Sequence, residues 1–100
     1  MDLDDILEAD ACDRATVSKL VDRLRGSRTP EQLIYRETEL DELWRLVEAA
    51  VRQTAEPGAR ERLTRLRDAV EAAHDLVGVE QRPEAAAARL QEALIAGLAD

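Results

Sequence analysis

His74 is the only histidine and Cys12 the only cysteine of the 100-residue chain. The side chains best suited to nucleophilic, acid–base or soft-metal chemistry therefore occur once each. A zinc or di-iron centre needs several ligands converging on one point, and no Glu-x-x-His pair is present to start one. Ser18 or Ser27 could be set beside His74 and an aspartate on paper. Neither serine lies in a nucleophile elbow, and no glycine-rich loop stands ready to donate to an oxyanion. The 22 Asp and Glu are plentiful, yet many stand three or four residues from an arginine, as Glu42 does from Arg45 and Glu48 from Arg52. That spacing belongs to a solvated, charge-laced helix face. The expectation is a protein that is not an enzyme and holds no metal or cofactor.

Two short stretches carry a resemblance to known families. Cys12-Asp13-Arg14-Ala15-Thr16-Val17-Ser18-Lys19-Leu20-Val21-Asp22-Arg23-Leu24 resembles the recognition helix of winged helix-turn-helix regulators of the multiple-antibiotic-resistance type. The resemblance implies that Arg14, Thr16, Ser18, Lys19 and Arg23 would face the major groove or its phosphates. The chain departs from that family in two places. The residues before Cys12 are few and acidic where a scaffold helix belongs, and Gly26 leads to Thr29-Pro30 and another helix instead of a β-wing. His74-Asp75-Leu76-Val77-Gly78 resembles the phosphoacceptor core of histidine phosphotransfer domains, which implies a phosphorylatable His74 exposed on a bundle helix. Here Val77 stands where that family has a lysine, and Gly78 ends the helix where the family's helix continues.

The elements that would position these residues are helices. Ala, Leu, Glu and Arg dominate, with only 4 Gly and 3 Pro, a composition of high helical propensity. Gly26, Glu56-Pro57-Gly58 and the stretch from Gly78 to Pro83 are the only interruptions of periodic sequence, and they leave four segments. Thr29-Pro30-Glu31-Gln32 reads as a capping box with proline at the first helical position. Pro57 and Pro83 should open two further helices, and Gly26 and Gly78 should act as left-handed stops. The expected helices run over about 30–54, 57–77 and 83–98. Leu33, Leu40, Leu43, Trp44, Val47, Ala50 and Val51 make the apolar stripe of the first of these, Ala59, Leu63, Leu66, Val70, Ala73 and Val77 that of the second, and Ala86, Ala87, Leu90, Ala93, Leu94 and Leu98 a narrower stripe of mostly small residues in the third. Residues 1–25 form either one helix or two, with Asp13 capping a helix over 14–25 in the second case. Short connections make neighbours antiparallel, so the fold class is all-α, an up-and-down bundle of about four helices in one domain over residues 1–100.

Composition narrows the partners. Tyr35 and Trp44 are the only aromatics, which leaves no platform for stacking bases. The formal charge of -8 opposes a role that rests on neutralising phosphates. A lone cysteine suits a reducing compartment, the N-terminus is acidic where a secretory signal would be basic, and no apolar run approaches the roughly 20 residues that span a bilayer. The expectation is a cytoplasmic protein with no membrane or nucleic-acid partner.

A surface that recognises protein then becomes the leading reading: a helical adaptor, regulatory subunit or dimerising domain. Ile34, Leu46 and Ile95 are apolar yet lie about 100° or more from the centres of their stripes, so they are the expected interface, with a homodimer as the expected assembly. Trp44 is either the core anchor or an interface hot spot, and its place in the stripe favours the core. The alternatives are DNA binding through residues 13–25 and phosphotransfer through His74.

Overall fold

The computed structural model describes residues 14–97, with side chains from 17 to 94. Four helices follow one another: α1 (Arg14–Arg25), α2 (Pro30–Gln53), α3 (Pro57–Gly78) and α4 (Pro83–Gly97). No strand occurs among the described residues. The closest helix pairings are α2 with α3, α3 with α4 and α1 with α4. Glu37 of α2 lies beside Gly78 of α3 and Glu48 beside Arg67, while Arg25 meets Gln91 and Arg28 meets Glu84; in both pairs the sequence advances in opposite directions, so the helices run up and down. The all-α bundle expected from the sequence is the fold observed.

The helix starts are built as the sequence dictates. Thr29 Oγ1 accepts from Gln32 N at 3.2 Å, and Gln32 Oε1 accepts in return from Thr29 N at 3.1 Å. This reciprocal box satisfies two backbone donors that a helix start otherwise leaves open. The start of α3 is capped differently. Glu56, exposed before Pro57, accepts from Gly58 N at 2.9 Å and Ala59 N at 2.5 Å. These two backbone bonds, Ala59's the larger influence, hold its carboxyl below the usual carboxylate range because they favour the ionised form.

The helix ends differ from expectation. Neither Gly26 nor Gly78 has a positive φ, and the one left-handed residue described is Gln81, at φ 55. The last carbonyls of α1 are met by other means: Gly26 N donates to Asp22 O and Arg23 O, and Ser27, itself buried, sends its hydroxyl to Arg23 O at 2.8 Å. At the end of α3, Val79 N and Glu80 N share Asp75 O, and Arg82 N reaches Leu76 O at 2.8 Å across the left-handed Gln81. Gly78 belongs to the last turn of the helix and is needed for closeness instead: a Cβ there would meet the Glu37 carboxyl, with Cδ at 3.0 Å. Helices α2 and α3 end within a residue of the expected positions, and α4 runs to the last described residue, Gly97. Helix α1 is described from Arg14 on; Asp13 and the residues before it lie outside the described part, and with them the choice between one helix and two over residues 1–25.

The core is aliphatic throughout. Val17, Leu20, Val21 and Leu24 of α1 close over Leu40, Leu43, Val47 and Val51 of α2, the Leu63 to Val77 stripe of α3, and Ala86, Ala87, Leu90 and Leu94 of α4. Ala69 and Ala73 on α3 and Ala86, Ala87 and Ala93 of α4 are fully or nearly fully buried, so small side chains allow close helix approach. Trp44 is a correction: it packs on the margin of this cluster, half-buried, and does not anchor it. The anchors are leucines.

Candidate interaction surface

Helix α2 is about 36 Å long at 1.5 Å per residue. The core stripe occupies only part of α2. Its fully buried residues begin at Leu40, and none falls among residues 30–39, although that stretch includes Leu33, Ile34 and Tyr35. Ile34 is 65% exposed and Tyr35 68%; Val79, just past α3, is 78% exposed. Ile34 therefore stands in solvent, where its distance from the stripe placed it, and Tyr35 and Val79 join it as exposed apolar residues that pattern reading missed. Tyr35 sits one residue from Ile34 and so points about 100° away. Val79 belongs to a connection, where periodicity gives no signal.

Two shallow grooves lie along α2. One, of about 190 Å³, is formed by Pro30, Leu33, Ile34 and Glu37 with Val77 and Gly78 of α3. The other, of about 390 Å³, is lined by Trp44, Arg45, Glu48, Ala49, Arg52 and Gln53. The Trp44 indole Nε1 is shielded from solvent and has no hydrogen-bond acceptor among the described residues.

Leu46 is half-buried. By helical geometry it lies about 120° from Ile34, on the flank of α2 that carries Glu39 toward Arg23 of α1. Ile34 and Leu46 therefore do not share a face. The Ile95 side chain lies outside the described part, so the third expected interface residue is not placed.

The residues singled out for DNA are spread between uses. Ser18 and Lys19 are exposed on α1, and the side chains of Arg14 and Thr16 lie outside the described part. Arg23 is bound within the bundle: its Nη1 donates to Glu39 Oε2 at 2.7 Å. The other Glu39 oxygen is 2.9 Å from Arg36 Nε, close enough for charge pairing but too bent for a hydrogen bond. This half-buried Arg–Glu–Arg group ties α1 to α2, and α1 is followed by a helix where a wing would stand.

His74 is half-buried on α3, one turn before the helix ends at Gly78. Val77, at the place of the phosphotransfer lysine, is in the core. Among the described residues no group of three or more His, Cys, Asp or Glu is arranged to hold a metal ion, and no helix is long and apolar enough to cross a membrane.

Ion pairs on the outward side of α2 are local and solvent-screened. Arg45 is 3.1 Å from Asp41 and 3.9 Å from Glu42, and Arg52 is 3.8 Å from Glu48, with both arginine side chains well exposed. Glu48 also accepts from Arg67 of α3 at 3.1 Å. The pairs read from sequence, Glu42 with Arg45 and Glu48 with Arg52, both form.

The chain matches no protein-family model, and comparison with curated proteins and with solved structures yields no match.

Proposed function

We propose that this chain is a non-catalytic protein–protein interaction module whose contact surface is the outward side of α2. One observation carries the reading: residues 30–39 of α2 bury no side chain fully, yet present Ile34 and Tyr35 to solvent at 65% and 68% exposure. A single exposed apolar residue is ordinary, but here two large ones, with Val79 near the same end of the bundle, adjoin a groove floored by Leu33 and Val77. Contact area of this kind, with an aromatic and an aliphatic anchor beside a polar rim, is what protein interfaces use. The lone cysteine supports a reducing setting.

A photo-crosslinking residue at position 34, compared with one at position 19, which is also exposed, tests the reading in the native cell. The expected result is a discrete protein adduct, a second copy of the chain included, from position 34 and none from position 19. Equal labelling from both positions, or none from either, would overturn it.

A further inference from the structure

Acidic residues gather at the end of the bundle where α2 begins and α3 ends. Residues 30–41 carry Glu31, Glu37, Glu39 and Asp41 against one arginine, and residues 71–82 carry Glu71, Asp75 and Glu80 against one. Both arginines already face carboxylates: Arg36 is 2.9 Å from Glu39, and Arg82 is 3.9 Å from Glu80. His74, the one further base of the two stretches, is half-buried. The antiparallel register sets the stretches side by side, since a Cβ on Gly78 would meet the Glu37 carboxyl. At about 100° per residue, Ile34, Glu37 and Asp41 fall within about 60° of one another on α2, as do Glu71, Asp75 and Gly78 on α3. The two sectors therefore border the groove of about 190 Å³ in which Leu33, Ile34 and Val77 meet.

This arrangement costs the fold something. Glu37 and Asp41 are like charges one turn apart, and so are Glu71 and Asp75, a spacing that destabilises a helix. Asp41 is offset by Arg45 at 3.1 Å, whereas Glu31, Glu37, Glu71 and Asp75 form no ion pair among the described residues. A basic side chain from outside would relieve what the chain leaves unpaired. Glu37 is the one charged residue that lines the groove itself, so a cation pairing with it would stand beside an apolar anchor. We infer that this groove takes an amphipathic helix of another protein, apolar on the face that meets Ile34 and rich in Lys or Arg along its flanks. The inference rests on the interaction-module reading and names the chemistry of the partner.

Other occupants fit less well. A groove of about 190 Å³ is smaller than the roughly 300 Å³ at which small-molecule pockets begin. Anionic lipid and nucleic acid would meet the same carboxylates and be repelled. A second copy offers no basic apolar face. The exposed large apolar residues described, Ile34, Tyr35 and Val79, all stand at this acidic end, and the other helices turn their apolar sides into the core. Like would meet like. A helix, by contrast, has the right reach: from Pro30 to Asp41 is about 17 Å along α2, or about three turns. Helices that dock in grooves present anchors at i, i+3 or i+4 and i+7 over that length.

Titration with synthetic 18-residue peptides, read by fluorescence anisotropy, tests the inference on the full chain. One peptide repeats Leu at i, i+3, i+4 and i+7 with Lys elsewhere, a second replaces each Lys by Glu, and a third keeps the Leu/Lys composition in an order without an apolar face. The wild type should bind the first at micromolar concentration and the other two at least about tenfold more weakly. Ile34→Ala should weaken binding of the first about tenfold, and Glu71→Lys/Asp75→Lys should turn the preference toward the Leu/Glu peptide. None of the three residues belongs to the core, and circular dichroism checks that each variant keeps its helix content. A reversed preference is a result that a merely structural role of these residues would not give. No binding of the first peptide up to roughly 100 μM, equal binding of either control peptide, or variants that bind as the wild type does would each overturn the inference. So would a wild type whose self-association is lost with Ile34→Ala, because a second copy would then own the groove. A discrete adduct from position 34 with no peptide bound would leave the interaction module standing with a partner of other chemistry, whereas neither adduct nor peptide binding would remove both.

Discussion

The two halves of α2 are one continuous helix held by different forces. From Leu40 to Gln53 the helix is held by burial: Leu40, Leu43, Val47 and Val51 enter the core. From Pro30 to Glu39 nothing is fully buried, and beyond the partial packing of Leu33 and the Arg23–Glu39 tie to α1 the turns are held by the Thr29 cap, by proline at the first position and by the cooperativity of the helix behind them. The contrast explains why one sequence pattern, broadly amphipathic over its whole length, produces a structural half and an available half. Burial fixes residues by the area they remove from water, and only the second half has other helices on enough sides to remove it.

Truncating the two halves should expose that contrast at its largest. Leu43→Ala should destabilise by about 2–5 kcal/mol, since it leaves a cavity among leucines and valines that can close only partly. Leu66→Ala and Val70→Ala, which face the same cluster from α3, should each cost about 1–4 kcal/mol. Urea titrations followed by circular dichroism measure all three, and a cost below roughly 0.5 kcal/mol at Leu43 would mean that the second half is not held by burial. Thr29→Ala, at the opposite end of the same helix, should cost about 0.5–2 kcal/mol by removing one member of the capping box. An unchanged midpoint for Thr29→Ala would show that the first half does not depend on its cap.

The fold was legible because its signals are local. Proline at Pro30, Pro57 and Pro83, the Thr29–Gln32 box and the 3.6-residue stripes place the starts of three helices and, to within a residue, the ends of α2 and α3. The glycines misled because two causes give the same residue: Gly78 reads as a left-handed stop, but it is retained in the helix where α2 and α3 approach and a Cβ would meet Glu37. The left-handed turn falls on Gln81, which no propensity rule selects. Trp44 misled for a related reason, since a stripe states direction and not depth, and at its level the bundle leaves the indole at the margin. Arg23 looked like a phosphate contact because its partner, Glu39, is supplied by a different helix. The exposure of Ile34 was readable from angle alone, whereas the pairing of Glu48 with Arg67 needed the antiparallel register of two helices.

The start of α3 provides a smaller test of what a cap contributes, because there the capping group is ionised. Glu56 has a folded carboxyl held below its ordinary value of 4.5 by the Ala59 and Gly58 amides. Its contribution is therefore present above the ordinary carboxylate range and is lost as pH falls through the lowered value. Glu56→Gln should lower the thermal midpoint at pH 7, and the gap to wild type should narrow as the pH falls below that range. Thr29→Ala should show no such narrowing, since a hydroxyl does not titrate. A gap that is constant with pH at Glu56 would show that shape, and not charge, closes that helix start.

Ile34→Ala should have the smallest effect on folding and the most informative one. With the side chain already 65% exposed, little area returns to water on truncation, and alanine is the better helix former, so the stability change should stay within about 0.5 kcal/mol. Binding of the Leu/Lys peptide should nevertheless weaken, because in a complex the same side chain goes from solvent into a contact. The two measurements on one variant, an unfolding midpoint and a peptide titration, separate the roles that burial and exposure assign to the halves of α2. A large loss of stability with peptide binding intact would invert the comparison, placing Ile34 in the chain's own core and leaving the first half of α2 no freer than the second.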